Sequence, residues 1–109
     1  VAGGSDAPVE KGDPLVEFYA AAYRHDLKGF AGPDWRLEEA VTRAQALAML
    51  TRGSAYSVFR ENDLGSLAVG RDADISAFSV DLMTAPFADI AKAHAVMTIV
   101  GGKVVYEAP

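Results

Sequence analysis

The sequence predicts an α+β fold in which helices come first and a small antiparallel sheet follows. Three observations lead there. Apolar residues recur at helical spacing from Leu15 to Tyr23, a capping signal at Thr42 opens a second helical stretch, and two valine-rich runs flank Gly101-Gly102 near the C-terminus. The 109 residues suit one small unit, and folding at that length should bury roughly 65% of the surface of the extended chain.

The first thirteen residues are small and turn-forming, with Gly3, Gly4, Pro8 and Gly12, and read as a loop after at most a strand end. Asp13 is then an N-cap with Pro14 at the first helical position, where a missing N–H costs nothing. Leu15, Phe18, Tyr19, Ala22 and Tyr23 form the apolar stripe of this helix. Arg24, His25 and Lys28 suit the negative end of its dipole, and Gly29 is its expected stop. A loop with Gly32, Pro33 and the single Trp follows.

Helix resumes near Leu37 and restarts at Thr42, whose spacing to Gln45 is that of a capping box. Gly53 is the expected break, and Ala55 to Phe59 a further short turn. Beyond Asp63 the pattern changes: Gly65, Gly70 and Asp72 punctuate the chain, and Asp74 to Ser79 alternates partly as a half-buried strand does. Val96–Val100 and Lys103–Glu107 are the hairpin, its two glycines tolerating the positive φ the turn needs. A regular ladder would set Met97 opposite Tyr106 and Ile99 opposite Val104.

Composition excludes several chemistries. There is no cysteine, so disulfide scaffolds, thiolate metal sites and thiol catalysis are absent. A net charge of −5 disfavours nucleic acid and anionic membranes as partners, and no apolar run approaches the roughly 20 residues that span a bilayer. The chain opens on Val1 without a signal peptide, so the expectation is a processed or truncated cytoplasmic chain.

Candidate sites are few. His25 and His94 lie in different elements without ligand spacing and read as a helix-end and a loop histidine. Gly3-Gly4-Ser5-Asp6-Ala7 ends in Ala where a nucleophile elbow has Gly, and Lys11-Gly12 reverses the order of a phosphate loop. Glu38 with Glu39, and Glu61 with Asp63, could form acid–base pairs, although helix-start and loop acids are far more often solvated. Asp6 by itself reads as a turn or cap residue, although a carboxylate after a barrel strand is placed for metal or proton chemistry.

Five pieces of the sequence together resemble the C-terminal part of the amidohydrolase superfamily, in the branch called amidohydrolase family 3. They are Gly4-Ser5-Asp6-Ala7-Pro8-Val9, Asp13-Pro14-Leu15, Ala46-Leu47 with Thr51 and Ala55, the run Gly65 to Asp74, and Thr98 to Tyr106. The resemblance implies that residues 1–59 are the end of a TIM-like barrel, its strand-eight loop and following helices, and that residues 60–109 are part of a composite β-sandwich. It implies a metal-dependent hydrolase of a C–N bond in amides or related groups, in which Asp6 contacts the metal and shuttles the proton. Asp6 is thus the one catalytic and metal-binding candidate.

A TIM barrel needs about 250 residues, and the histidines and bridging lysine or acid of the family lie outside this chain. By the resemblance, a divalent metal, zinc first, belongs to a longer parent, and none is expected to bind tightly to these residues alone. The expected partners are the rest of the parent chain, the parent's small-molecule substrate and, for the short chain, a second copy covering either the hairpin edge or the stripe from Leu15 to Tyr23. The alternative is a stand-alone, non-catalytic interaction module on the same scaffold.

Overall fold

The computed structural model describes residues 1–109. Helix α1 spans Pro14–Tyr23 and begins where its sequence dictates, with the Asp13 carboxylate accepting from the Leu15 N–H at 2.9 Å. It ends at Tyr23, six residues before Gly29. Arg24 takes the left-handed conformation (φ 57°) and its N–H closes on the Ala20 carbonyl. Such a conformation costs a non-glycine residue about 1–2 kcal/mol. Here the Arg24 guanidinium donates twice to the Trp35 carbonyl, at 3.2 and 3.0 Å, and holds the loop that follows.

A single 3₁₀ turn at Leu37–Glu39 leads to α2, Arg43–Ala48. The capping box is complete: the Gln45 N–H donates to Thr42 Oγ1 and the Thr42 N–H to Gln45 Oε1. Gly53 does not break this helix. The backbone widens into a π turn over Met49–Gly53 and runs on as α3, Ser54–Ser57, so residues 43–57 form one rod. The widening coincides with two extra bonds at one carbonyl. The Met49 carbonyl receives the Gly3 N–H at 2.9 Å and the Ser54 hydroxyl at 3.1 Å, partners from outside the regular ladder.

Strands β1 (Ile75–Phe78), β2 (Ala95–Val100) and β3 (Lys103–Glu107) form an antiparallel meander in that order. The Gly101-Gly102 turn and the Ile99–Val104 pairing are as the sequence predicts. The Met97–Tyr106 pairing is not: Met97 faces Glu107 and Tyr106 faces Thr98. A bulge adds Val105 to the edge strand and shifts every later pair by one, which reassigns the faces of β3. A second irregularity separates the Ala77 and Phe78 pairings with β2.

One short helix was not legible in the sequence. Between β1 and β2 the chain makes α4, Phe87–Ile90, and Ile90 packs with Phe18, Tyr19 and Ala46 into the principal core cluster. Fully burying Phe18 or Ile90 contributes about 1.5–3 kcal/mol each. Only six of the 109 residues are buried, however, and every residue of β3 is exposed. The accessible surface of 7547 Å² corresponds to burial of about 55% of the extended chain, short of the expected figure. No helix is long and apolar enough to cross a membrane.

Candidate functional site

The N-terminal segment lies along the π turn of the rod. Besides the Gly3 hydrogen bond, Ser54 Oγ donates to the Gly3 carbonyl at 3.3 Å. Gly53 is where the two backbones come closest: a Cβ there would stand 2.1 Å from the Val1 carbonyl oxygen. Residues 1–5 form no strand of a sheet.

Asp6 begins the turn that leaves this segment. Its backbone is left-handed (φ 55°) and its carbonyl accepts from the Val9 N–H at 2.9 Å. The residue is exposed and its carboxylate makes no hydrogen bond within the chain. The other motif residues behave differently. Gly65 (φ 82°) lets the loop approach the rod, its would-be Cβ 2.9 Å from the Arg52 Cα. Arg71 Nη1 donates to the carbonyls of Glu61 and Leu64. Asp74 accepts the Gly101 N–H at 2.8 Å, pinning the hairpin tip. These residues build the scaffold, and Asp6 is left unengaged.

The remaining candidates take structural places. His25 stacks on Tyr23, with ring centroids 3.7 Å apart, and its Nδ1–H donates to the Tyr23 carbonyl at 2.5 Å. His94 is exposed, and its backbone N–H donates to Ser79 Oγ. Glu38 and Glu39 both pair with Arg36 at the surface; Arg36 and a backbone N–H hold the Glu38 carboxyl below its usual range, the backbone bond acting most. Asp63 pairs with Arg60, whereas Glu61 Oε2 is buried without a partner. No three His, Asp or Glu side chains group as ligands for a metal.

Sequence reasoning missed Glu17. It lines a cleft of about 220 Å³ whose walls include Gly3, Gly4, Ala21, Ala46 and Leu50. Burial raises its carboxyl above the usual range, and the charges of Glu10 and Asp13 raise it further. The signal was present in the helical spacing, since Glu17 follows Asp13 by one turn and so repeats its charge on the same face.

The profile of the amidohydrolase family matches residues 1–106. The chain belongs to the amidohydrolase family. It is 37% identical over 110 residues to YtcJ of Bacillus subtilis (strain 168), which bears an amidohydrolase name; the match covers 97% of this chain and 20% of that protein. The amidohydrolase chain described here thus spans about a fifth of the length of its curated relative. No solved structure matches it.

Proposed function

We propose that this chain is the C-terminal part of a metal-dependent amidohydrolase that cleaves a C–N bond in an amide or related small molecule. Residues 1–59 are read as the end of its TIM-like barrel, and residues 60–109 as part of its β-sandwich. The observation that carries the reading is the contrast at Asp6. Among the motif residues it alone combines a left-handed backbone, exposure and a carboxylate without an internal partner. A carboxylate that the fold does not engage stays available to groups outside the chain, which supports a role in chemistry over one in stability.

The family implies a divalent metal, zinc being the first candidate. The residues of this chain do not make a site for one by themselves, since no three of its His, Asp or Glu side chains come together. In this reading Asp6 would supply one carboxylate to a metal held by the rest of the parent chain. Its own chemistry is that of a general base and acid: it takes a proton from the attacking water and returns it to the departing nitrogen. Because that exchange requires a carboxylate free to change protonation state, an Asp6 locked in a salt bridge would serve it poorly.

The test is Asp6→Asn in a polypeptide that also supplies the other four-fifths of the YtcJ length. The expected result is a fall in kcat of about 1,000-fold, in the range for lost acid–base catalysis, with KM little changed. Retained turnover overturns the role of Asp6. A second reading, a non-catalytic interaction module, is favoured by the uncovered sheet; it predicts a binding phenotype that survives the same substitution.

A further inference from the structure

Gly3 is fastened to the rod at two points. Its N–H donates to the Met49 carbonyl at 2.9 Å, and its carbonyl accepts from the Ser54 hydroxyl at 3.3 Å. One such bond would leave the segment free to swivel about it. Two bonds from one residue fix the direction in which the chain leaves the rod. The contact is close as well, since a Cβ on Gly3 would stand 3.2 Å from Leu50 Cδ2 and 3.3 Å from Met49 Cβ. The second point depends on Ser54. That residue is half-buried, and the single proton of its hydroxyl lies between the Gly3 carbonyl and the Met49 carbonyl, the latter 3.1 Å away.

Asp6 follows three residues later. An extended chain covers at most about 3.6 Å per residue, so Asp6 stands within about 11 Å of Gly3, and a swing of about 10° at Gly3 displaces it by about 2 Å. A displacement of about 1 Å at a reacting group can lower a rate on the order of 100-fold. Beyond Asp6 the chain is held again. The Asp6 carbonyl accepts the Val9 N–H, and Gly12 (φ 72°) folds back so closely that a Cβ on it would stand 3.3 Å from Ala7 Cβ. Asp13 then caps α1. Asp6 thus occupies the exposed crest of a short arch whose feet stand on the rod and on α1, and Ser54 is the side chain that seats the first foot.

We propose that Ser54 is a positioning residue: through the Gly3 carbonyl it sets the direction of the arch and so aims the Asp6 carboxylate. The proposal rests on the reading of Asp6 as the acid–base group. Ser54 itself makes no hydrogen bond to Asp6, and no proton passes through it.

The test is nuclear magnetic resonance of the weakly aligned 109-residue chain. Residual dipolar couplings read the direction of the Asp6 Cα–Hα bond relative to the amides of the rod. Ser54→Ala is expected to shrink that coupling toward zero and to speed hydrogen exchange at the Gly3 amide about three- to ten-fold, the equivalent of one neutral hydrogen bond. Ser54→Thr, which keeps the hydroxyl, is expected to restore both. Exchange at Leu15 and Gly101, whose amides are held by Asp13 and Asp74, stays as in the unaltered chain and shows that the fold survives. An Asp6 coupling indifferent to Ser54→Ala overturns the proposal. So does a Ser54→Thr variant no better than Ser54→Ala, or a change that spreads equally to Leu15 and Gly101. The outcome is separable from that of Asp6→Asn. Turnover indifferent to Asp6→Asn sinks the acid–base reading whatever the couplings do, whereas couplings indifferent to Ser54→Ala sink the positioning role and leave that reading standing.

Discussion

The ring of Tyr23 lies flat against that of Phe87, with centroids 4.3 Å apart and planes 7° from parallel. Tyr23 is the last residue of α1 and Phe87 the first of α4, so one contact joins elements 63 residues apart. His25 covers the Tyr23 ring, Arg43 stands 4.3 Å from the centre of the Phe87 ring, and Tyr19 meets Phe87 edge-on.

Phe87→Ala removes the middle of this column and is expected to cost about 2–3 kcal/mol in urea unfolding, the lower part of the range because Phe87 is only half-buried. In a double-mutant cycle with Tyr23→Ala the two losses should fall short of additivity by about 0.5–1.5 kcal/mol. Full additivity would mean that the rings pack independently.

Gly53→Ala sets two effects against each other. Inside a helix the change normally stabilises by about 1 kcal/mol. Here the new Cβ would meet the Val1 carbonyl oxygen at 2.1 Å, so the expected outcome is a net loss of about 1–3 kcal/mol, or release of residues 1–3 from the rod. Hydrogen exchange at the Gly3 amide distinguishes the two. Gly4→Ala, with nothing within 4 Å of its Cβ, serves as the neutral control.

Glu17 gives stability a pH dependence of definite sign. Its carboxyl is raised from the usual 4.5, by burial first and by Glu10 and Asp13 next, so the fold prefers it protonated. Its contribution is fully present below pH 4.5 and is lost as pH rises through the folded value. Glu17→Gln should therefore raise Tm at neutral pH, and that gain should disappear on acidification below the usual carboxyl range. A gain unchanged across the acid range would assign the effect to packing.

The parts of the fold legible in the sequence are those set by local rules. Asp13-Pro14, the Thr42–Gln45 box and the Gly101-Gly102 turn each act within a few residues, and each is found where the sequence puts it. What escaped depends on distant partners. Arg24 ends α1 because Trp35 holds its guanidinium, and the rod opens at Met49, where Gly3 approaches it. The Val105 bulge lies in an exposed strand, where no buried face enforces strict alternation. For the site, Asp6 was visible through resemblance, whereas Glu17 needed the cleft to single it out.

Arg43 binds the Leu82 carbonyl at 2.8 Å while its guanidinium covers Phe87. The eight residues between β1 and α4 are thus strapped to the rod. A graft of this hairpin onto another protein would have to bring Arg43 and Tyr23 with it, or the transplanted sheet would lose the bearing that sets its direction. Any polypeptide that covers the sheet is, by the same linkage, mechanically coupled to the helix rod and to the N-terminal segment fastened along it.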